Sequence, residues 1–223
     1  MVIEGISGGT EALAGPEHVA IDLTNRCTNR CIACWTRSPL LRDLASGADW
    51  HRQELDRGVL DRLIDDLGAL GTRNIQLSGG GDPMLYPDIA GVVERVKSHG
   101  MYCAITTGLP HPTSRRLGDV VDAGVDELAV SLWASDGRSW VATHPGRGAA
   151  DFREITRTLA GLKGRGRRPF LNLLNVVCSV NYRKVYSMYR YARSQGADSV
   201  YFTLVDVMEG KTESLLLTAV QLR

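Results

Sequence analysis

Two patterns of apolar residues alternate along the chain. Short apolar runs are typical of strands, and stretches with an apolar residue at every third or fourth position are typical of helices. Most of the predicted helices end at a glycine, after which the next apolar run begins a few residues later. The strands that this pattern predicts are His18–Leu23, Asn74–Leu77, Tyr102–Thr106, Glu127–Leu132, Phe170–Val177 and Ser199–Leu204.

Six alternating strands and helices predict one parallel sheet with right-handed crossovers and helices packed on it. A doubly wound sheet and a barrel both satisfy this pattern. In either arrangement, ligands bind at the carboxyl ends of the strands, where the following loops meet. The residues that follow each strand are therefore the candidate functional residues.

Composition and charge narrow the class of protein. The 223 residues, 43% apolar and 23% charged, can bury one substantial core. The 26 basic and 25 acidic residues give a net charge of +1, which disfavours a nucleic acid or an anionic membrane as partner. No stretch approaches the roughly 20 apolar residues of a membrane span, and Met1–Gly15 does not resemble a secretion signal. We expect a cytoplasmic protein.

Three of the five cysteines lie in the loop after the first predicted strand, with the spacing C-x3-C-x2-C: Cys27, Cys31 and Cys34. This crowding suits metal ligation in a reducing compartment better than a disulfide framework. Thiolates are soft ligands that favour zinc or iron–sulfur clusters. A [4Fe–4S] cluster held by three cysteines leaves one iron open to a substrate or cofactor.

Two alternatives to such a catalytic cluster stay open. A structural zinc site would need a fourth ligand, for which His18 and His51 are candidates, but the chain has no second C-x2-C pair. An iron–sulfur electron carrier would use the same three cysteines without cleaving a cofactor. Cys103 and Cys178 are interpreted as small buried apolar residues, although Cys178 follows the fifth strand and could face a cavity.

Cys27, Cys31 and Cys34 closely resemble the signature of the radical S-adenosylmethionine superfamily. The resemblance implies a partial (β/α)6 barrel of the TIM type over residues 17–223, after a lead-in over residues 1–16, with a sixth helix after the last strand. It also implies that the open iron binds the amino and carboxylate groups of S-adenosylmethionine. The chain departs from the family at Ala33, where relatives have an aromatic residue.

The resemblance implies further cofactor-binding residues in the loops after later strands. Gly80, Gly81 and Asp82 resemble the family's glycine-glycine-glutamate motif, which holds the amino group of S-adenosylmethionine. Outside this context the segment would predict only a turn. After the fourth and fifth strands, the residues similar to those that contact the cofactor's ribose and carboxylate are Ser131, Arg147 and Asn175.

The family's chemistry implies that the cofactors perform the difficult steps, so no catalytic acid or base is predicted. An external one-electron donor of the flavodoxin or ferredoxin type would reduce the cluster. Cleavage of S-adenosylmethionine would then give a 5′-deoxyadenosyl radical, which takes a hydrogen atom from the substrate. The insertion Thr36–Arg52 and the balanced charge favour a peptide or a small natural product as substrate.

Overall fold

A computed structural model of the protein describes residue 8 and residues 14–41, 47–109 and 114–221. Six parallel strands form one open sheet in the order β1 to β6. Their bounds are β1 His18–Asp22, β2 Asn74–Ser78, β3 Tyr102–Thr107, β4 Glu127–Ser131, β5 Phe170–Val177 and β6 Ser199–Leu204. A doubly wound sheet reverses its strand order at a switch point, whereas this order is sequential. The predicted partial barrel is confirmed.

Helices connect successive strands: α1 Arg57–Ala69, α2 Ile89–Ser98, α3 Ser114–Asp122, α4 Gly137–Thr143, α5 Ala149–Leu162 and α6 Val185–Gln195. Local chemistry fixes several of their ends. The Asp56 carboxylate accepts a hydrogen bond from the Val59 amide and caps the start of α1. Gly196 ends α6 with φ of 72°, in the left-handed region that favours glycine. None of the described helices combines the length and the apolar content that a membrane span requires.

The two faces of the sheet differ in polarity. Residues that alternate along the strands, such as Ile75, Leu77, Leu128 and Leu173, are buried in the main core together with the apolar stripes of the helices. The opposite face carries polar residues, and the Gln76 side-chain amide donates to the Thr106 hydroxyl at 2.8 Å. The inner face of the barrel is therefore polar, and the apolar core lies between the sheet and the helices.

The segment after β6 does not form the predicted sixth α-helix within the described residues. Over residues 205–221 the only helical turn is a 3-10 turn, Glu213–Leu215. Leu215 is buried against Ile32 and Cys178, and its carbonyl accepts a hydrogen bond from the Ser179 amide at 2.9 Å. This apolar contact holds the segment across the end of the barrel, beside the cysteine loop. The segment therefore does not return along the outside of the sheet, as a sixth helix would.

Candidate functional site

The cysteine loop, residues 24–38, follows β1 at the carboxyl edge of the sheet. Backbone hydrogen bonds with the loop after β2 and with the end of α4 hold it in place. The Gly81 amide donates to the Thr24 carbonyl at 2.9 Å, and the Asp82 amide donates to the Arg26 carbonyl at 2.8 Å. On the other side, the Ile32 amide donates to the carbonyl of Thr143, at the end of α4, at 3.0 Å. The loop is therefore fixed without regular secondary structure of its own.

The three thiols of this loop are close enough to affect one another electrostatically. Burial raises the pKa of Cys27 to about 11, with a further contribution from Asp82. Burial, followed by the charges of Cys34 and Cys27, raises the pKa of Cys31 well above its ordinary value. A coordinated metal reverses this preference, because a thiol that binds a metal is deprotonated. Three soft donors on one loop thus fit a [4Fe–4S] cluster, which would supply the compensating positive charge.

The two histidines that are candidates for a fourth zinc ligand lie in different places. His18 is the first residue of β1, at the opposite end of the strand from the cysteine loop. His51 shares a cleft with Cys27, and its Nδ1 atom has no hydrogen-bond partner in the described residues. In the part of the chain that the structure describes, no three His, Cys, Asp or Glu side chains are grouped so that they could hold a single metal ion.

The glycine run after β2 packs against the cysteine loop. A Cβ atom on Gly79 would lie 2.6 Å from the Thr24 carbonyl oxygen, and one on Gly81 would lie 2.1 Å from that of Arg26. On Gly80 it would lie 2.6 Å from the Asn25 side-chain oxygen. Such distances are well inside van der Waals contact, so side chains at these positions would displace the loop. The glycine run thus permits the loop after β2 to approach the cysteine loop closely. Contact of Gly80 and Gly81 with a cofactor stays a prediction.

The Asp82 carboxylate is buried, with 4% of its surface exposed, and is surrounded by donors from the chain itself. One oxygen accepts from the Met84 amide at 3.0 Å and the Thr107 hydroxyl at 2.8 Å. The other accepts from the Gly108 amide at 2.7 Å. Burial raises its pKa to about 6, although these hydrogen bonds act in the opposite direction. Asp82 therefore joins the loops after β2 and β3, and the predicted contact with a cofactor ammonium is untested.

The other predicted cofactor residues lie in different surroundings. Ser131 ends β4 and is half-buried on the inner face of the sheet. Arg147 reaches the cysteine loop, where its Nε donates to the Asn29 side-chain oxygen at 2.9 Å and its Nη2 donates to the Thr28 hydroxyl. To contact the cofactor carboxylate as predicted, Arg147 would have to give up these hydrogen bonds or share its guanidinium group between them and the carboxylate.

Asn175 has only 2% of its surface exposed, and it lies next to Val176 in β5, so the two side chains are on opposite faces of the sheet. It shares the outer face with Leu171 and Leu173, whereas Val176 lines the cleft beside the cysteines. Its side-chain oxygen has no hydrogen-bond partner in the described residues. The structure thus places Asn175 on the face away from that cleft, and its predicted ribose contact stays a prediction that this placement does not support.

Two residues that the sequence did not single out also shape the site. Thr36 donates from its hydroxyl to the Gly80 carbonyl at 3.0 Å, and the same hydroxyl is 3.5 Å from the Cys34 sulfur. Trp133 follows β4 with φ of 56°, a left-handed conformation that costs about 1–2 kcal/mol for a residue with a side chain. No local pattern identifies either residue, since both act through contacts between loops.

An open cleft of about 550 Å³ borders two of the three thiols. We call it the cysteine cleft. Cys31, Cys34, Gly79 and Gly80 form one wall, and the other wall is largely apolar. That second wall includes Trp35, Trp133, Val176, Leu204 and Val205. The cleft is large enough for a small molecule or part of a peptide, and it lies at the carboxyl end of the barrel, where ligands of such folds bind.

The family model described as the radical SAM superfamily matches residues 21–192, which include the three cysteines, the glycine run, the end of β1 and the whole of β2 to β5. The chain belongs to the radical SAM superfamily. Membership implies S-adenosylmethionine and a [4Fe–4S] cluster as cofactors. The resemblance carried by the cysteine spacing is therefore confirmed.

The sequence relatives of this radical SAM chain include proteins with two different named activities. A probable GTP 3′,8-cyclase of Methanothermobacter marburgensis is 30% identical over 183 residues, which cover 79% of this chain and 54% of the relative. The PqqA peptide cyclase of Methylobacterium nodulans is 30% identical over 127 residues, 57% of this chain and 31% of the relative. The chain thus spans about a third to a half of these relatives.

Solved structures show the same fold. SuiB of Streptococcus suis bound to S-adenosylmethionine aligns over 89% of this chain and 43% of its own, with a TM-score of 0.72 and 15% identity. SuiB bound to its precursor peptide SuiA aligns with a TM-score of 0.67 and 14% identity, over 86% of this chain and 40% of its own. At such identities the likeness concerns the fold alone.

Proposed function

We propose that the protein is a radical SAM enzyme that acts on a peptide or a peptide-like natural product. Cys27, Cys31 and Cys34 would hold a [4Fe–4S] cluster, and S-adenosylmethionine would bind in the cysteine cleft at the open iron. Once reduced by an external one-electron donor, these cofactors would supply a 5′-deoxyadenosyl radical for hydrogen abstraction from the substrate. The observation that carries the proposal is that Cys31 and Cys34 share one cleft with Gly79 and Gly80.

The chain's own residues would position the reactants and exclude water. Thr36 donates to the Gly80 carbonyl and contacts the Cys34 sulfur, so it would help to hold the wall of the cleft next to the thiols. Trp133 and Val176 present apolar surface on the opposite side. A dry, preorganised cleft prevents side reactions of a reactive species and holds the reactants in a productive geometry. A protein with these tasks needs no general acid or base.

Two observations support a peptide as substrate. The PqqA peptide cyclase and SuiB with its precursor peptide SuiA are peptide-related by their names, and they match this chain by sequence and by fold respectively. The cleft is wide, and Leu204 on its rim is 64% exposed, as expected of a surface that receives apolar side chains. The name of the probable GTP 3′,8-cyclase suggests a nucleotide as the alternative substrate class.

Anaerobic incubation of the reconstituted protein with S-adenosylmethionine and dithionite tests the reaction. We expect 5′-deoxyadenosine and methionine by mass spectrometry, and none from Cys31→Ala. A colourless protein that contains zinc and no iron would contradict the proposal, and so would a brown protein that leaves S-adenosylmethionine intact. Deuterium transfer into 5′-deoxyadenosine from a perdeuterated peptide, but not from deuterated GTP, would decide between the two substrate classes.

A further inference from the structure

A second cleft, of about 580 Å³, opens beside Cys27. Among the described residues, it shares no lining residue with the cysteine cleft, which borders Cys31 and Cys34. The described residues of its walls include four arginines, Arg26, Arg37, Arg52 and Arg116, and no aspartate or glutamate. We call it the basic cleft. The two clefts therefore meet the cysteine loop at different cysteines and differ in charge.

The positive charge of the basic cleft is local. The whole chain has 26 basic and 25 acidic residues, so four arginines without an acidic residue in one cleft depart from the average surface. Arg26 is paired with Glu54 at 2.9 Å, and Arg52 lies 3.9 Å from Asp49 with 76% of its side chain exposed. An exposed pair at that distance compensates little of the charge.

Arg37 and Arg116 have no carboxylate within ion-pair distance among the described residues. Arg37 donates to the Asn25 carbonyl at 2.8 Å, and Arg116 donates to the Met84 carbonyl at 2.9 Å. These neutral acceptors orient the guanidinium groups without neutralising them. Two positive charges, held in place and not paired with any carboxylate of the described part of the chain, thus stand beside a cysteine that is a predicted cluster ligand. They favour a negatively charged partner.

We propose that the basic cleft is the docking surface for an acidic protein that donates one electron, and that the electron enters the cluster from the Cys27 side. This inference rests on the proposed function. In the step, the donor's redox group is oxidised by one electron and the cluster is reduced by one electron, with no bond made or broken in the chain. Because the cysteine cleft stays free, the donor can bind while S-adenosylmethionine and substrate are in place.

The charge pattern favours a protein donor over a small anion. Arg26, Arg52 and Arg116 belong to three separate segments, and complementary charge spread over a surface steers a large partner and increases its association rate. An anionic peptide substrate is the alternative occupant. We expect it instead at the cysteine cleft, where the open iron and the apolar wall lie.

The test measures binding of a flavodoxin of negative net charge to the reconstituted protein, by calorimetry at about 50 and 300 mM salt, which change the screening length. We expect wild-type binding to weaken at the higher salt. The double variant R52E/R116E should bind about tenfold or more weakly at low salt. Arg190→Glu, an exposed arginine on α6 outside the cleft, is the matched control and should bind as wild type does.

A second readout separates docking from damage to the cluster. Titanium(III) citrate, a small reductant that needs no docking surface, should bleach the visible absorbance of wild type and variants at equal rates, whereas reduced flavodoxin should bleach R52E/R116E slowly. If the double variant loses its cluster, Arg52→Glu alone decides the matter, because that side chain is 76% exposed. It should raise the flavodoxin Kd, and an unchanged Kd would then refute the proposal.

Other outcomes overturn the inference. Flavodoxin binding that is absent or insensitive to salt in wild type, or equal in R52E/R116E, would refute it. Loss of poly-glutamate binding in the variant with unchanged flavodoxin binding would assign the cleft to an anionic substrate. Failure of the proposed function has a different signature: wild type reduced by titanium(III) citrate would not cleave S-adenosylmethionine, whatever the flavodoxin Kd.

Discussion

The Asp82 carboxylate accepts a hydrogen bond from the Thr107 hydroxyl at 2.8 Å and so joins the loops that follow β2 and β3. The same carboxylate accepts from the amides of Met84 and Gly108. Because the Asp82 amide also bonds to the Arg26 carbonyl, one residue connects three loops at the carboxyl edge of the sheet. The acidic residue of the glycine motif thus has a structural task that its sequence context did not indicate.

We predict that Asp82→Ala lowers the free energy of unfolding by about 3 kcal/mol or more, because each buried donor left unpaired costs about 1–3 kcal/mol. Urea denaturation of the apoprotein measures this. Asp82→Asn, which keeps one acceptor oxygen, should lie between Ala and wild type. If Asp82→Ala kept wild-type stability and only weakened S-adenosylmethionine binding, the carboxylate would serve the cofactor and not the loops.

We expect Gly81→Ala to lower the iron content after reconstitution. The added Cβ would lie 2.1 Å from the Arg26 carbonyl oxygen, so the cysteine loop would have to move. Gly164→Ala is the matched control, since nothing lies within 4 Å of its added Cβ. Iron analysis and visible absorbance compare the two variants. Equal iron in both would show that the loop tolerates the displacement.

Cluster ligation predicts a difference among the cysteines. Reconstituted wild type should hold about four irons, and Cys27→Ala, Cys31→Ala or Cys34→Ala should each abolish the cluster. Cys178→Ala should keep the iron, because Cys178 is buried in the apolar cluster with Ile32 and Leu215. Full iron content in any of the first three variants would mean that the ligands are assigned wrongly.

Burial lowers the pKa of His144 to about 3, below its ordinary value of 6.5. The unfolded chain therefore binds more protons than the folded protein between these pH values. We predict that His144 contributes stability above pH 6.5 that is lost as the pH falls, by about 1.4 kcal/mol per pH unit, down to pH 3. His144→Phe, which keeps an aromatic ring on Trp140, should lower this slope.

Denaturation midpoints of wild type and His144→Phe at several pH values between 4 and 7 measure the effect. The two proteins have the same titratable groups apart from His144. Because the carbonyl of Thr143, next to His144, accepts the hydrogen bond of the Ile32 amide, acid should also loosen the cysteine loop. An identical pH dependence in wild type and His144→Phe would show that His144 titrates alike in the folded and unfolded states.

The sequence by itself determined the elements and the chemistry that depends on neighbours along the chain. The apolar spacing predicted all six strands, and β5 and β6 have the predicted bounds. The spacing of Cys27, Cys31 and Cys34 indicated the family. Periodicity and ligand spacing are local properties, because a strand repeats every two residues, a helix every 3.6, and one loop can carry all three thiolates.

Only the tertiary structure decided which residues of different loops meet. Asn175 and Val176 are neighbours in sequence near the end of β5, but the direction of the pleat places Val176 at the cysteine cleft and Asn175 on the outer face. The partners of Asp82 and the gathering of Arg26, Arg52 and Arg116 depend on how loops from separate strands converge. Such contacts depend on sheet order, register and curvature, which arise from the packing of the whole barrel and have no local pattern in the sequence.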